Sequence, residues 1–148
     1  MGVDLIVGEF DITTLAGLSD VTGEPVNYNG SAIVNAANGE LSHGDGVAWA
    51  ISRAAGGSFQ KDGYALVEEN SVPTGEAITQ TGDYELPVGH VIHAVGPSIG
   101  TYQGDVSLEE GIPLLKDAYR NSLIQAEEHD LEMIAFPAIS TGIFGFPK

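Results

Sequence analysis

Cysteine is absent from the chain, which excludes disulfides and thiolate chemistry and fits a reducing compartment. Cationic side chains are scarce: five Lys and Arg face 21 Asp and Glu, a formal net charge of -16. A basic groove for a nucleic-acid backbone is hard to assemble from that inventory. No unbroken apolar run is long enough to span a bilayer, so no membrane partner is expected. The opening "MGVDLIVGEF" has no basic region ahead of an apolar core, so no signal peptide is expected either, and a cytoplasmic location is. Acidic, lysine-poor composition is associated with proteins of salt-rich cytoplasm; an acidic, soluble surface is the plainer reading.

What is present suffices for one domain with a core. The chain has 148 residues, 43% of them hydrophobic, and neither repeats nor linkers divide it. "VDLIV" (3–7) reads as a first strand, and "DITTLAG" as a turn with a short irregular piece. The polar residues 19–30 read as a surface loop or hairpin. "SAIVNAAN" predicts a second strand running into a loop, and "VAWAISRAAGG" a helix ended by Gly56 and Gly57. A short helix is expected near "DGYALVEEN". "GEAITQTG" and "HVIHAVG" predict two adjacent strands, and residues 107–129 the clearest helix. Ser107 caps that helix, with Glu109 and Glu110 in its first turn. Its apolar stripe is Leu108, Ile112, Leu115, Tyr119, Leu123 and Ala126. "MIAFPAIS" predicts a last strand. The alternation points to an α/β sandwich around a mixed sheet. The terminal "STGIFGFPK" sits where a loop should deliver the chain to another helix, so truncation at the C-terminus is expected.

Ligands of open α/β sheets bind beyond the carboxyl ends of the strands. "DIT", "NAANGELSHGDG" and "ISTGIFG" fall at such ends. With so few cations, a phosphate-bearing ligand would depend on backbone amides and helix N-termini, or on salt that screens repulsion. Gly44 and Gly46 precede a helix, and Gly142 and Gly145 lie in a turn; both turns can wrap an anion with main-chain donors, or be ordinary turns. Neither matches a Walker or dinucleotide-binding pattern. Asn35 and Asn38 offer donors and acceptors that suit ribose hydroxyls, or serve as strand-end caps. His43 could orient a hydroxyl or water, and Asp11 could accept from an adenine amino group or cap the following piece. His90 and His93 fall on opposite faces of one strand, and no third ligand converges on them, so no metal site is expected. Phe144 and Phe146 line a pocket or belong to the core.

Taken together, "DIT", "AIVNAAN", "HGDGVAWAI", "AAGG", "TGEAITQTGDYELPVGHVIHAVGP", "LKDAYRNSLIQA" and "IAFPAISTGIFGFP" occur in the order seen in the macro domain, an ADP-ribose-binding family that this chain resembles over nearly its whole length. The resemblance implies a three-layer α/β/α sandwich with a mixed, mostly parallel sheet. It implies ADP-ribose or an ADP-ribosylated protein as partner and no cofactor. By position, Asp11 would bind the adenine amino group, with Ile12 beside it. Asn38 would hold the distal ribose, Asn35 would support that loop, and His43 would orient the ribose or a water. Asn38 and His43 are thereby the catalytic candidates. Gly44, Asp45, Gly46 and Val47 would form one phosphate- and ribose-facing loop; Ser140, Thr141, Gly142, Ile143, Phe144 and Gly145 would form the other. Two departures stand out. Asp45 replaces a usual glycine and is expected to tolerate a left-handed turn. Ala48 stands where one hydrolase branch carries an aspartate. Hydrolysis of ADP-ribose 1''-phosphate or of ADP-ribosyl esters is one implied function; a non-catalytic reader of ADP-ribose is the other.

Overall fold

The computed structural model describes residues 3–142 and 144–147. Four strands form one sheet: β1 (Ser31–Ala37), β2 (Ala77–Thr81), β3 (His90–Val95) and β4 (Met133–Ala135), in the order β2-β3-β1-β4. β1 pairs in parallel with β3 and β4, and β2 runs antiparallel to β3. The sheet is therefore mixed and mostly parallel, as expected. Among the described residues four α-helices, α1 (Leu18–Thr22), α2 (Gly46–Ala55), α3 (Phe59–Leu66) and α4 (Leu108–Glu128), and a single 3-10 turn at Tyr28–Gly30 surround it.

The period of two along the central strands creates the three layers. Ile33 and Val91 turn to one face and pack with Ile51 and Ala55 of α2 and Phe59 of α3. Ala32, Val34, Ile92 and Ala94 turn to the other face, against Leu115, Tyr119 and Ala126 of α4. Because both faces are covered, β1 is buried almost end to end, as a parallel strand between helix layers must be.

The caps follow local chemistry. Ser107 Oγ accepts from the Glu110 amide while the Glu110 carboxylate accepts from the Ser107 amide, a reciprocal capping box. Gly56 ends α2 with φ 92, a conformation open to glycine at little cost.

Three expectations are corrected. Residues 3–7 form no strand; Val3, Leu5 and Val7 are 94, 87 and 89% exposed. A strand exists only by pairing, and neither edge of the described sheet takes this segment. Residues 19–30 hold the short helix α1 and the 3-10 turn rather than a plain loop or hairpin. The stripe on α4 is also rotated. Gly111, Ala118, Ser122 and Ala126 are its buried residues, while Leu108, Ile112 and Leu123 are exposed. The helix lies close to its neighbours, and a Cβ on Gly111 would run into the Ile99 side chain. Close approach selects small residues, whereas the apolar pattern counts hydrophobicity and not volume.

Candidate functional site

A cleft of about 520 Å³ opens beyond the carboxyl ends of β1 and β4. One wall is the end of β1 and the turn into α2: Ala36, Ala37, Asn38, Ser42, Gly44, Asp45, Gly46, Val47 and Ala48. The facing wall is the turn after β4: Ala138, Ser140, Thr141, Gly142 and Phe144. The two turns singled out from the sequence thus face one space, although about 100 residues separate them in the chain. That site is where an open parallel sheet places its ligand.

The first turn is built by two side-chain amides. Asn38 donates from Nδ2 to the Ser42 carbonyl (3.1 Å) and Oγ (2.8 Å), and accepts the Ser42 amide at Oδ1 (3.0 Å). Gln60, reaching up from α3, donates to the Leu41 carbonyl (2.7 Å) and accepts the His43 amide (3.2 Å). Between them Leu41 sits fully buried at φ 52, an unusual conformation for a side chain of that size. Five hydrogen bonds over six residues hold it there. Gly39 closes the base: a Cβ at that position would lie 2.5 Å from the Val72 carbonyl oxygen, and the Val72 amide donates to Gly39.

The turn then delivers α2. Asp45 is its N-cap, with extended φ of -143, and Gly46 follows at φ 57. The left-handed residue is therefore Gly46, and Asp45 needs no special tolerance, which corrects the expectation. The Asp45 side chain accepts no capping hydrogen bond. The first amides of a helix lack intrahelical acceptors and carry its positive dipole end, so at α2 they are donors beside the cleft.

The second turn is held from below. Ile99 donates to the Phe144 carbonyl (2.6 Å), Phe146 to the Ser140 carbonyl (2.8 Å) and Gly145 to the Gly142 carbonyl (3.0 Å). Ser140 is buried at φ 65, and its Oγ has no hydrogen-bond partner. Gly145 does not line the cleft; it closes the turn at φ 72. Ile143 lies outside the described residues.

His43 and Asn35 are beneath the cleft rather than in its lining. His43 is 6% exposed, stacked on His93 with ring centroids 5.3 Å apart and packed on Phe59. Burial lowers its pKa to about 4. Its neighbours Ser42 and Gly44 line the cleft while its own ring anchors the turn to the core. The expected catalytic role of His43, to orient the ribose or a water, therefore meets a neutral ring that faces inward.

A directed chain of hydrogen bonds starts there. Gln80 Nε2 donates to the Phe59 carbonyl (3.0 Å) and to Tyr84 Oη (2.9 Å), which leaves Gln80 Oε1 as an acceptor. His93 Nε2 at 2.8 Å must then be the donor to it. A neutral His93 so oriented has a bare Nδ1, which accepts from Asn35 Nδ2 at 3.0 Å. Tyr84 passes its own proton toward Asp62 Oδ2 (2.8 Å). Burial, and then the neighbouring His43, lower the pKa of His93 to about 3.

Asp11 and Ile12 do not line the cleft. The Asp11 carboxylate accepts from the Thr13 amide (2.9 Å) and hydroxyl (2.6 Å), which lowers its pKa, the hydroxyl acting most strongly. Ile12 packs on the core cluster that also carries Val47. His90 and His93 do point to opposite sides: His90 bonds Thr81 and the Asn29 carbonyl at the far end of β3. Gln60, and Gly96, where a Cβ would overlap the Ser140 hydroxyl of the second turn, carry no functional expectation from the sequence. A glutamine on a weakly patterned helix carries no local signal, and the role of Gly96 depends on a residue more than forty positions away.

These features define an α/β domain whose cleft can hold an anionic ligand by main-chain donors from two converging turns. The comparisons identify which such domain it is. The family model of the Macro domain matches residues 34–148, and the chain belongs to that family. A macro domain-containing protein of Cupriavidus necator is 45% identical over 133 residues, covering 88% of this chain and 73% of that one. A Thermotoga maritima protein is 48% identical over 130 residues, 87% of this chain but 20% of that protein. Among solved structures, an Oceanobacillus iheyensis macrodomain variant with ADPR superposes with a TM-score of 0.71 at 37% identity, covering 83% of this chain and 64% of that chain. The chain thus spans less than two thirds of the length of some of the relatives it matches.

Proposed function

We propose that this domain binds ADP-ribose, free or attached to a protein, in the cleft between the two turns. The observation that carries the reading is that residues 44–47 face Ser140, Thr141, Gly142 and Phe144 across one cleft at the carboxyl ends of parallel strands. A diphosphate between them would be held by main-chain amides, including the first turn of α2. Support comes from the similar Oceanobacillus iheyensis macrodomain variant, which was solved with ADPR.

In this reading Asn38 keeps one Oδ1 lone pair for a ribose hydroxyl while the rest of its amide shapes the turn. Hydrolysis of an ADP-ribosyl ester or of ADP-ribose 1''-phosphate would draw on tight placement of the ribose and on a substrate phosphate as internal base. The inward-facing His43 and the presence of Ala48 in the lining favour the second reading, a module that binds without turnover.

Titration calorimetry with ADP-ribose at low and at molar salt tests the ligand. Saturable one-to-one binding, tighter at molar salt, is expected; absence of heat at both salt concentrations would overturn the assignment. Turnover of the ester and of the 1''-phosphate separates hydrolase from reader. Asn38→Ala should weaken ADP-ribose binding by about tenfold, near 1.4 kcal/mol. In a hydrolase its turnover should fall by more than its affinity.

A further inference from the structure

We propose that Asp45 makes the cleft select among ADP-ribose derivatives by charge, disfavouring those with a further phosphate and favouring those whose attached group is neutral or cationic. The inference rests on the ADP-ribose reading above and narrows its substrate class.

Among the described lining residues Asp45 is the sole ionisable one; no Lys, Arg or His side chain lines the cleft. Arg53, on the same helix, is turned over the Trp49 ring, 5.3 Å from its centroid. The one described ion pair joins Arg120 to Asp117 on α4. Asp45 is exposed at the cleft, accepts no capping hydrogen bond and has no described cationic partner. Its charge is therefore met by no described cationic side chain, only by the N-terminal dipole of α2, beside the space a ligand would fill.

In this reading the main-chain donors of the two turns serve the diphosphate. An additional phosphate finds no cationic side chain among the described lining residues and meets the Asp45 carboxylate, within a protein of net charge -16. Like charges a few ångströms apart near a protein surface repel appreciably at low salt. At ~10 mM ionic strength the screening length is ~30 Å, and at ~1 M it is ~3 Å. Selection by Asp45 is therefore strong in dilute buffer and fades in concentrated salt. A neutral ester or a cationic side chain attached to the ribose escapes the penalty. ADP-ribose 1''-phosphate, which adds a phosphate, incurs it in full.

The test compares ADP-ribose with ADP-ribose 1''-phosphate by calorimetry on the wild-type chain and on Asp45→Asn. Asparagine is as good an N-cap as aspartate, so α2 should form in both. At ~10 mM salt the wild type should bind the 1''-phosphate at least ~10-fold more weakly than ADP-ribose, a gap that closes near ~1 M salt. Asp45→Asn should shrink the gap at low salt several-fold, and circular dichroism should show an unchanged fold. Equal wild-type affinities at low salt, or a gap that survives in Asp45→Asn, would overturn the selection while leaving ADP-ribose binding intact. Failure of both proteins to bind either ligand at both salts would overturn the ligand reading, and this inference with it.

Discussion

Gly96→Ala should both destabilise the domain and cripple the cleft. Gly96 follows β3 and is buried directly under the second turn. A Cβ there would overlap the Ser140 hydroxyl and come within 2.6 Å of Ile139 Cγ2. Neither neighbour can yield easily. Ile139 is fully packed among β1, β3 and α4 residues. Ser140 already holds φ 65, and its carbonyl accepts from Phe146. Overpacking of this kind costs about 1–3 kcal/mol of stability. With Ile139 packed, relief comes from turning the unpartnered Ser140 hydroxyl or from shifting the turn after it, and either changes the cleft wall that Ser140 lines. Binding should therefore weaken by roughly 100-fold, the equivalent of about 2.7 kcal/mol. A thermal melt together with ADP-ribose calorimetry checks both effects. Adding Ser140→Gly removes the hydroxyl and suits the left-handed backbone, so the double variant should regain part of the stability. If Gly96→Ala melts and binds like wild type, the support of the turn by Gly96 is wrong.

The second large effect is a loss of stability in mild acid. In the folded chain burial holds His43 and His93 neutral, with pKa values of about 4 and about 3. In the unfolded chain each takes a proton near the ordinary value of 6.5. Between those limits the unfolded state binds more protons, so stability rises with pH through the window. The contribution is complete above about 6.5 and is lost progressively as pH falls toward 4 and then 3. The structural reason is specific. A protonated His93 would carry a hydrogen on Nδ1, where it now accepts from Asn35, while Nε2 already donates to Gln80.

An opposing effect must be separated from it. Acidification also neutralises carboxylates in a chain with net charge -16, which relieves self-repulsion. The difference between wild type and His93→Gln isolates the histidine. Glutamine can accept from Asn35 and donate to Gln80, so it preserves the polarity of the chain of hydrogen bonds without titrating. From pH 7 to pH 4.5 the wild-type Tm should fall relative to that of the variant by roughly 5–10 °C. Parallel Tm curves would refute the assignment of a neutral, buried imidazole.

Both predictions involve residues whose importance cannot be read locally. β1, β2, β3, α2 and α4 were all legible in the sequence, because each is written in its own short segment. β1 is an apolar run closed by Asn38; α4 carries the Ser107 and Glu110 pair; α2 ends on Gly56. The glycine turns were legible for the same reason, since Gly44, Gly46, Gly142 and Gly145 fall just past strand ends. Residues 3–7 looked equally strand-like and form none, because pairing depends on a partner the segment does not carry. The stripe on α4 was misplaced because Gly111 and Ser122 face inward through the closeness of packing and not through hydrophobicity.

The candidate site divides along the same line. The residues that face the ligand space come from two short glycine-containing stretches; their position past strand ends allowed either a ligand turn or an ordinary one, and the family resemblance pointed to them as a site. Their supports do not come from those stretches. Gln60 matters because α3 brings its amide to Leu41 and His43; Gly96 matters because the turn after β4 crosses directly above it. In its local sequence His43 is a polar group of the loop, yet its ring is stacked on His93 of β3.

The amino-acid sequence by itself determined the family, the α/β layering and the scarcity of cationic side chains for a phosphate, since these follow from short-range pattern and from which side chains exist. The tertiary structure alone decided that two distant turns share one cleft, that His43 faces inward and that Asp45 is the ionisable residue among the described lining. Whether a side chain reaches solvent, a neighbour or a ligand depends on chain segments far away in sequence, and only their packing fixes its direction.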